Sequence, residues 1–147
     1  MPTLWTIGYE RLPPDALAAE LRAAGVARVI DVRFRAQSRK PGMSKTKLSQ
    51  RLADDGIAYE HRRALGTPPE IRPLYRTGAV ARAAEQFRAH VEATAAEELD
   101  ALAAELAAPG APATALLCLE AEPSGCHRRV VAEQLRRRLP DLTVVDL

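Results

Sequence analysis

The chain has 147 residues, of which 47% are hydrophobic and 27% charged, a composition typical of a globular domain with one apolar core. Its 21 basic and 19 acidic residues give a net charge of +2, so the overall charge does not by itself indicate nucleic-acid binding. No apolar run is long enough to cross a bilayer, and the first residues lack the pattern of a secretory signal peptide. We therefore expect a single domain over residues 1–147, with no membrane association.

Apolar periodicity and helix breakers divide the first half of the chain into alternating strands and helices. Pro14 suits the first turn of a helix, where a missing N–H costs nothing, and Gly25 and Gly56 are typical of helix ends. The predicted elements are a strand at 4–7, a helix from 13 to 25, a strand at 26–32, a loop at 34–43, a helix from 44 to 56 and a strand at 57–60.

The second half continues the same alternation. Thr94 and Glu97 have the spacing of a capping box, which predicts that a new helix starts there. The predicted elements are a short helix at 71–75, helices starting at 79 and at 94, a strand at 113–119, a helix from 124 to 139 and a strand at 142–145. The whole pattern predicts an α/β fold, a single layered domain with a mostly parallel open sheet of about five strands flanked by helices.

Reactive or charged side chains follow three of the predicted strands where each strand ends. They are Tyr9 after the first strand, Asp31, Arg33, Ser38 and Arg39 after the second, and Cys118, Glu120, Cys126, His127 and Arg128 after the fourth. Because ligands of open parallel sheets bind beyond the carboxyl ends of the strands, we expect these residues to form one polar site.

The residue types suggest how such a site would work. We expect Glu120 to act as a general acid or base, with Asp31 in support, and Cys126 to act as a nucleophile or a positioning group. The residues expected to bind an anion or substrate are Tyr9, Arg33, Ser38, Arg39, Cys118, His127 and Arg128. Asp31 and Arg33 share a face of an extended segment, so they form either a structural ion pair or an oriented oxyanion clamp.

Two uses of Cys126 compete. At the start of the last helix its thiol would ionise more readily, but the same N–H groups would also hold a phosphate. Adjacent residues of a helix point in different directions, so no direct pair between Cys126 and His127 is expected.

Neither a metal nor a cofactor is expected. The spacing of Cys118, Glu120, Cys126 and His127 matches no common zinc motif, and dinucleotide and P-loop motifs are absent from the sequence. Two cysteines cannot staple a secreted scaffold, so the sequence favours a cytoplasmic location, where a disulfide between them is disfavoured.

Charge is divided unevenly along the chain. Residues 28–63, the basic segment, hold ten basic and four acidic residues. Residues 89–127, the acidic segment, hold seven acidic residues and no Lys or Arg. A basic segment of this size either attracts phosphate-bearing ligands or forms a solvated surface.

An ordered series of short motifs resembles the family called "domain of unknown function 488". The motifs are Thr6-Ile7-Gly8-Tyr9, Asp31-Val32-Arg33, Ser38-Arg39, Tyr59 with Leu65-Gly66, Cys118-x-Glu120 and Cys126-His127-Arg128. The resemblance implies a compact α/β domain with the Asp, Arg, Glu and Cys-His-Arg residues grouped at one site, and it implies no particular reaction. Thr67 departs from the pattern, because a glycine often follows the Leu-Gly pair in the family.

Three functions remain open at this point. The first is an enzyme acting on a phosphate-bearing substrate, either a nucleotide or a nucleic acid. The second is a nucleic-acid-binding module without catalysis, which the few aromatic residues disfavour. The third is a thiol redox or metal-binding domain. The sequence does not determine the oligomeric state.

Overall fold

Five parallel strands form one sheet within residues 2–147, the part of the chain that the computed structural model describes. The strands are β1 (Thr3–Gly8), β2 (Arg28–Asp31), β3 (Ala58–His61), β4 (Thr114–Cys118) and β5 (Thr143–Asp146). Their order across the sheet is β3-β2-β4-β1-β5, and every neighbouring pair is parallel. The predicted parallel α/β sheet is confirmed.

Helices connect the strands and cover both faces of the sheet. They are α1 (Pro14–Ala23), α2 (Lys45–Asp54), α3 (Arg72–Arg76), α4 (Val80–Thr94), α5 (Ala96–Ala107) and α6 (Arg128–Arg138). Short 3-10 turns lie at Arg63–Leu65 and Pro123–Gly125. Among the helices of residues 2–147, none has the length and apolar content needed to cross a bilayer.

The predicted capping box is wrong, because Thr94 is not the N-cap of α5. The helix break falls one residue later, at Ala95, and the Thr94 hydroxyl donates to the carbonyl of His90 at 2.8 Å. Thr94 therefore ends α4 rather than starting α5, because its hydroxyl bonds backwards along its own helix.

The two faces of the sheet pack on different helices. All five residues of β4 are buried, and their side chains alternate between the faces. Leu116 and Cys118 pack with α4, α5 and α6, whereas Ala115 and Leu117 pack with α1 and α2. β4 lies between β2 and β1 and is buried on both sides, which explains its continuous apolar sequence.

The basic and acidic segments, separate along the chain, meet in the fold. Arg28 and Arg62 each place a guanidinium nitrogen 2.8 Å from Glu105 of α5, and Arg62 lies 3.6 Å from Glu98. The hydrogen bond from Arg62 lowers the pKa of Glu105, and that from Arg28 lowers it further. Part of the positive charge of the basic segment is therefore neutralised by the acidic segment.

Two glycines permit close backbone contacts at the carboxyl edge of the sheet. A Cβ atom at Gly8 would overlap the carbonyl oxygen of Glu120 and lie 2.8 Å from Nη1 of Arg128. A Cβ atom at Gly66 would overlap the backbone nitrogen of Phe34. The ends of β1 and β2 can approach these partners only because both positions lack a side chain.

Replacing Gly8 by Ala should destabilise the protein by about 2–3 kcal/mol, because the methyl group overlaps fixed backbone atoms. Urea unfolding followed by circular dichroism measures this change. Gly125→Ala is the matched control, since a Cβ atom there meets nothing within 4 Å and the backbone φ of Gly125 is not positive. Equal stabilities of the two variants would contradict the close approach at Gly8.

Candidate functional site

A small pocket of about 50 Å³ opens at the carboxyl edge of the sheet and is called the edge pocket below. The strand exits supply Tyr9, Arg33, Phe34, Arg35, Leu119 and Glu120. The rest of the lining comprises Gln37, Thr67, Arg72, Tyr75 and His127. Four of the sequence-predicted site residues thus line one pocket, namely Tyr9, Arg33, Glu120 and His127.

Asp31 lies beneath the edge pocket and holds Arg33. Both residues are buried, and the guanidinium contacts the carboxylate twice, with Nε–Oδ1 at 2.9 Å and Nη2–Oδ2 at 2.7 Å. Nη1 donates to the carbonyl of Met43 at 2.7 Å and to the Tyr9 hydroxyl at 3.3 Å. Burial opposes the charged form of Arg33, but the hydrogen bonds and charge of Asp31 outweigh it and raise the pKa of Arg33.

This geometry selects between the two interpretations of the pair. The fork of Arg33 that would clamp an oxyanion is occupied by Asp31, which Tyr59 also contacts through its hydroxyl. His61 also contacts this segment, with Nε2 2.6 Å from the carbonyl oxygen of Arg33. The sequence does not identify His61 as a site residue, because it stands among charged residues. Asp31 and Arg33 therefore form a structural ion pair that fixes the exit of β2 and leaves little free charge for an anion.

His127 is buried and fixed between three elements. Its Nε2 lies 2.6 Å from the carbonyl oxygen of Val32, so Nε2 carries the proton and Nδ1 is an acceptor. The ring packs edge-on against Phe87, with centroids 5.3 Å apart. Burial lowers the pKa of His127 to about 4, and the imidazole is neutral at pH 7.

Cys126 lies before the last helix rather than in its first turn, which corrects the predicted helix start. The 3-10 turn Pro123–Gly125 ends at Cys126, whose backbone is extended with φ −130° and ψ 146°, and His127 is the N-cap of α6. Because the two residues are not both helical, Sγ of Cys126 lies 3.7 Å from Nδ1 of His127. The expectation that these side chains point apart is wrong for this reason.

The structure brings the sulfur atoms of Cys118 and Cys126 together, with their Cα atoms 7.4 Å apart, a separation larger than a disulfide spans. Cys118 ends β4, and the following turn brings Cys126 back over it, eight residues later. Both cysteines are buried in the apolar core, and neither lines the edge pocket. In this arrangement neither sulfur faces the pocket, so Cys126 presents no nucleophile there and Cys118 has no contact with an anion bound there.

Arg128 is also placed differently from its predicted anion-binding role. Its guanidinium is fully buried and donates to the carbonyls of Glu120 and Ala121 and, at 2.9 Å, to Sγ of Cys118. Burial lowers the pKa of Arg128, while the charges of nearby acids oppose this effect. The side chain holds the exit loop of β4 and does not face the edge pocket.

Two further predicted residues, Ser38 and Arg39, lie outside the edge pocket. The hydroxyl of Ser38 accepts a hydrogen bond from the backbone N–H of Lys40 at 3.1 Å, and its own backbone N–H donates to Ser44 at 3.0 Å. Ser38 therefore shapes the loop after β2. Arg39 is exposed on the same loop.

Glu120 is the acidic residue of the edge pocket and is partly buried. Burial raises the pKa of the Glu120 carboxyl, partly offset by a backbone hydrogen bond and by the charge of Arg128. Tyr75 lines the same pocket. Burial, together with the negative charge of Glu120, raises the pKa of the Tyr75 hydroxyl to about 12. Glu120 can therefore hold a proton more readily than an exposed glutamate.

The structure adds pocket residues that the sequence patterns do not identify. Arg35 and Arg72 are exposed cations in the lining, and Arg72 follows a turn rather than a strand. The hydroxyl oxygens of Thr67 and Tyr75 are buried without a hydrogen-bond partner within residues 2–147. Two of these residues carry a sequence signal. Arg35 belongs to the basic segment and to the loop after the second predicted strand, and Thr67 stands where the similar family often has glycine, a departure from which no effect on the chemistry is expected.

Cys118, Glu120 and Cys126 offer sulfur and carboxylate atoms that all lie within 4.8 Å of one another. These residues could hold a metal ion with two thiolates and one carboxylate. In the structure the two sulfurs lie in direct contact, and Sγ of Cys118 also accepts a hydrogen bond from Nη1 of Arg128.

Fold and site define an α/β protein with a polar pocket at the carboxyl edge of a parallel sheet. The family model described as "Domain of unknown function DUF488" matches residues 13–135, and the chain belongs to this family. The segment 6–9, which also resembles the family pattern, precedes the matched residues. No curated protein and no solved structure matches the chain significantly.

The buried neutral imidazole of His127 predicts a specific loss of stability in acid. The unfolded state takes up a proton near pH 6.5 and the folded state only near pH 4, so stability falls as the pH decreases through this window. Between pH 7.5 and 4.5 we expect wild type to lose about 2–3 kcal/mol more than His127→Gln, which cannot ionise. Urea unfolding at the two pH values measures the difference, and equal losses would contradict the neutral buried ring.

Proposed function

We propose that the edge pocket binds a small phosphate-bearing substrate, such as a nucleotide, and that Glu120 performs acid–base chemistry on it. The single observation that carries this proposal is that one pocket is lined by Glu120, two exposed arginines and two hydroxyls that have no hydrogen-bond partner within residues 2–147. The family match assigns no activity, so the proposal rests on the pocket.

Arg35 and Arg72 are the residues proposed to bind phosphate. The two buried arginines are not assigned this role, because their donors are already used. Arg33 forms an ion pair with Asp31, and Arg128 donates hydrogen bonds to backbone carbonyls. Exposed guanidinium groups keep their donors for a ligand and can contact phosphate oxygens in pairs. The hydroxyls of Thr67 and Tyr75 then offer hydrogen bonds to the rest of the substrate.

Glu120 is the proposed general acid or base. Its partial burial favours the protonated form, which suits proton donation to a leaving group followed by proton uptake. His127 is not assigned this role, because its Nε2 is bonded to Val32 and its ring stays neutral. Asp31 acts in the proposal as a positioning residue, since it fixes Arg33 and thereby the floor of the pocket.

The binding step is tested with adenosine 5′-monophosphate and inorganic pyrophosphate as probes in isothermal titration calorimetry. The double variant Arg35→Ala/Arg72→Ala should weaken binding at least about ten-fold, since each charge-assisted hydrogen bond contributes about 1.5–3 kcal/mol. Arg82→Ala is the matched control, because Arg82 is exposed on α4 and does not line the pocket. Unchanged affinity in the double variant would exclude these arginines as the phosphate site.

The chemical step is tested with a panel of nucleotides, phosphate monoesters and phosphate diesters, followed by ³¹P NMR. Glu120→Gln should lower turnover about 100-fold or more while leaving adenosine 5′-monophosphate binding intact, because only proton transfer is lost. Glu122→Gln is the control, since Glu122 lies on the same loop but is 70% exposed and pairs with Arg11. If Glu120→Gln turns over every panel member as fast as wild type does, Glu120 is not the general acid or base.

A further inference from the structure

Three side chains that bind metal ions in proteins form a compact group beside the edge pocket. The sulfur atoms of Cys118 and Cys126 and a carboxylate oxygen of Glu120 all lie within 4.8 Å of one another. Both cysteines are buried, and Glu120 is partly buried. Cys118 and Glu120 come from the end of β4, and the 3-10 turn before α6 returns Cys126 to them. The fold thus assembles ligands whose sequence spacing matches no common zinc motif.

The backbone positions of the two cysteines suit a bridging metal ion better than a bond between the sulfurs. Their Cα atoms lie 7.4 Å apart, whereas a disulfide spans about 4.4–6.8 Å. Two Zn–S bonds of about 2.3 Å in a tetrahedral arrangement place the sulfurs about 3.8 Å apart, so a metal-bridged pair spans roughly 6–8.5 Å between Cα atoms. The sulfurs, which lie in direct contact here, would separate to that distance around an ion.

The buried guanidinium of Arg128 lacks the counter-charge that such a site supplies. None of the ion pairs within residues 2–147 includes Arg128, and its Nε is buried there without a hydrogen-bond partner. Nη1 donates to Sγ of Cys118 at 2.9 Å. A buried cation without an opposite charge is unfavourable. Two thiolates, one carboxylate and a divalent ion together carry one negative charge, which Arg128 neutralises.

His127 offers a donor for the fourth position of a tetrahedral ion. Its Nδ1 lies 3.7 Å from Sγ of Cys126, and the lone pair on Nδ1 is free because Nε2 donates to the carbonyl of Val32. Metal-bound histidines almost always donate their other ring N–H to a carbonyl or carboxylate in this way. Sulfur and nitrogen ligands of one tetrahedral zinc ion lie about 3.6 Å apart, close to the separation of these two atoms.

We propose that Cys118, Glu120 and Cys126 bind one Zn²⁺ ion, with His127 at the fourth position. Thiolate and imidazole ligands favour Zn²⁺ over Mg²⁺ and Ca²⁺, which prefer oxygen. Binding releases one proton from each thiol to solvent and involves no oxidation or reduction. Four protein ligands make a closed site, which ties the exit of β4 to the start of α6.

This inference does not rest on the proposed function, but the two share Glu120. A carboxylate that binds zinc cannot give or take a proton, so Zn²⁺ should suppress the turnover assigned to Glu120. Metal binding is measured without any substrate. A failure to bind zinc would therefore leave the acid–base proposal standing, and a failure to turn over any substrate would leave the metal site standing.

The site is tested by titrating metal-free, fully reduced, full-length protein with Zn²⁺ or Co²⁺. Native mass spectrometry should show one Zn²⁺ per chain. Co²⁺ should give the ultraviolet thiolate-to-cobalt charge-transfer bands and the intense visible bands of tetrahedral coordination, and Zn²⁺, but not Mg²⁺, should abolish them. Reduced wild type that shows no charge-transfer bands, or that binds no Zn²⁺, would overturn the proposal.

Variants identify the ligands through the Zn²⁺ affinity, measured by competition with a chromophoric chelator. Cys118→Ser and Cys126→Ser should each lower the affinity at least about 100-fold, and Glu120→Gln and His127→Gln about ten-fold or more. Glu120→Gln should keep the charge-transfer bands of Co²⁺, because both thiolates remain. Glu122→Gln is the matched control, since Glu122 lies on the same loop and its side chain is 70% exposed.

The test does not depend on the folding of the cysteine variants, which circular dichroism checks. Glu120 lines the pocket rather than the apolar core, so Glu120→Gln reports on the site even if those variants do not fold. Unchanged affinity in Glu120→Gln, or in a folded cysteine variant, would overturn the set of ligands proposed here.

Discussion

The buried guanidinium of Arg128 is the interaction on which the carboxyl edge of the sheet depends. It binds the carbonyls of Glu120 and Ala121, contacts Cys118, and lies against Gly8 at the end of β1. One side chain thus joins the exits of two neighbouring strands to the first turn of α6. Because a guanidinium has five donors in a fixed plane, it can satisfy several backbone carbonyls at once where the chain leaves the sheet.

Burial decides which charges at this edge are structural and which can meet a ligand. Asp31 and Arg33 neutralise each other in a buried ion pair. His127 is neutral, and its Nε2 is hydrogen-bonded to the carbonyl of Val32. Arg35 and Arg72 remain exposed at the pocket, beside the partly buried Glu120. The pocket therefore combines an internally hydrogen-bonded floor with exposed cationic groups at its mouth, an arrangement suited to a small anionic substrate.

Sequence patterns predicted the elements and the edge of the site better than the roles of single residues. The apolar run before Cys118 predicted a buried strand, and the residues after the strands predicted a shared edge, which holds for Tyr9, Arg33 and Glu120. The 3-10 turn before Cys126 was missed, since proline and glycine there suit either a helix start or a tight turn. That miss produced the error about the Cys126–His127 pair.

By itself the sequence determined the parallel α/β fold, because apolar periodicity and helix breakers are local properties of the chain. It also determined that polar residues collect beyond the strands. Only the tertiary structure decided that Arg33 and Arg128 are internal while Arg35 and Arg72 line the pocket, and that the two cysteines meet. The reason is physical: an arginine's role depends on the acceptors that distant segments bring within about 3 Å of it, and those segments are not its neighbours in sequence.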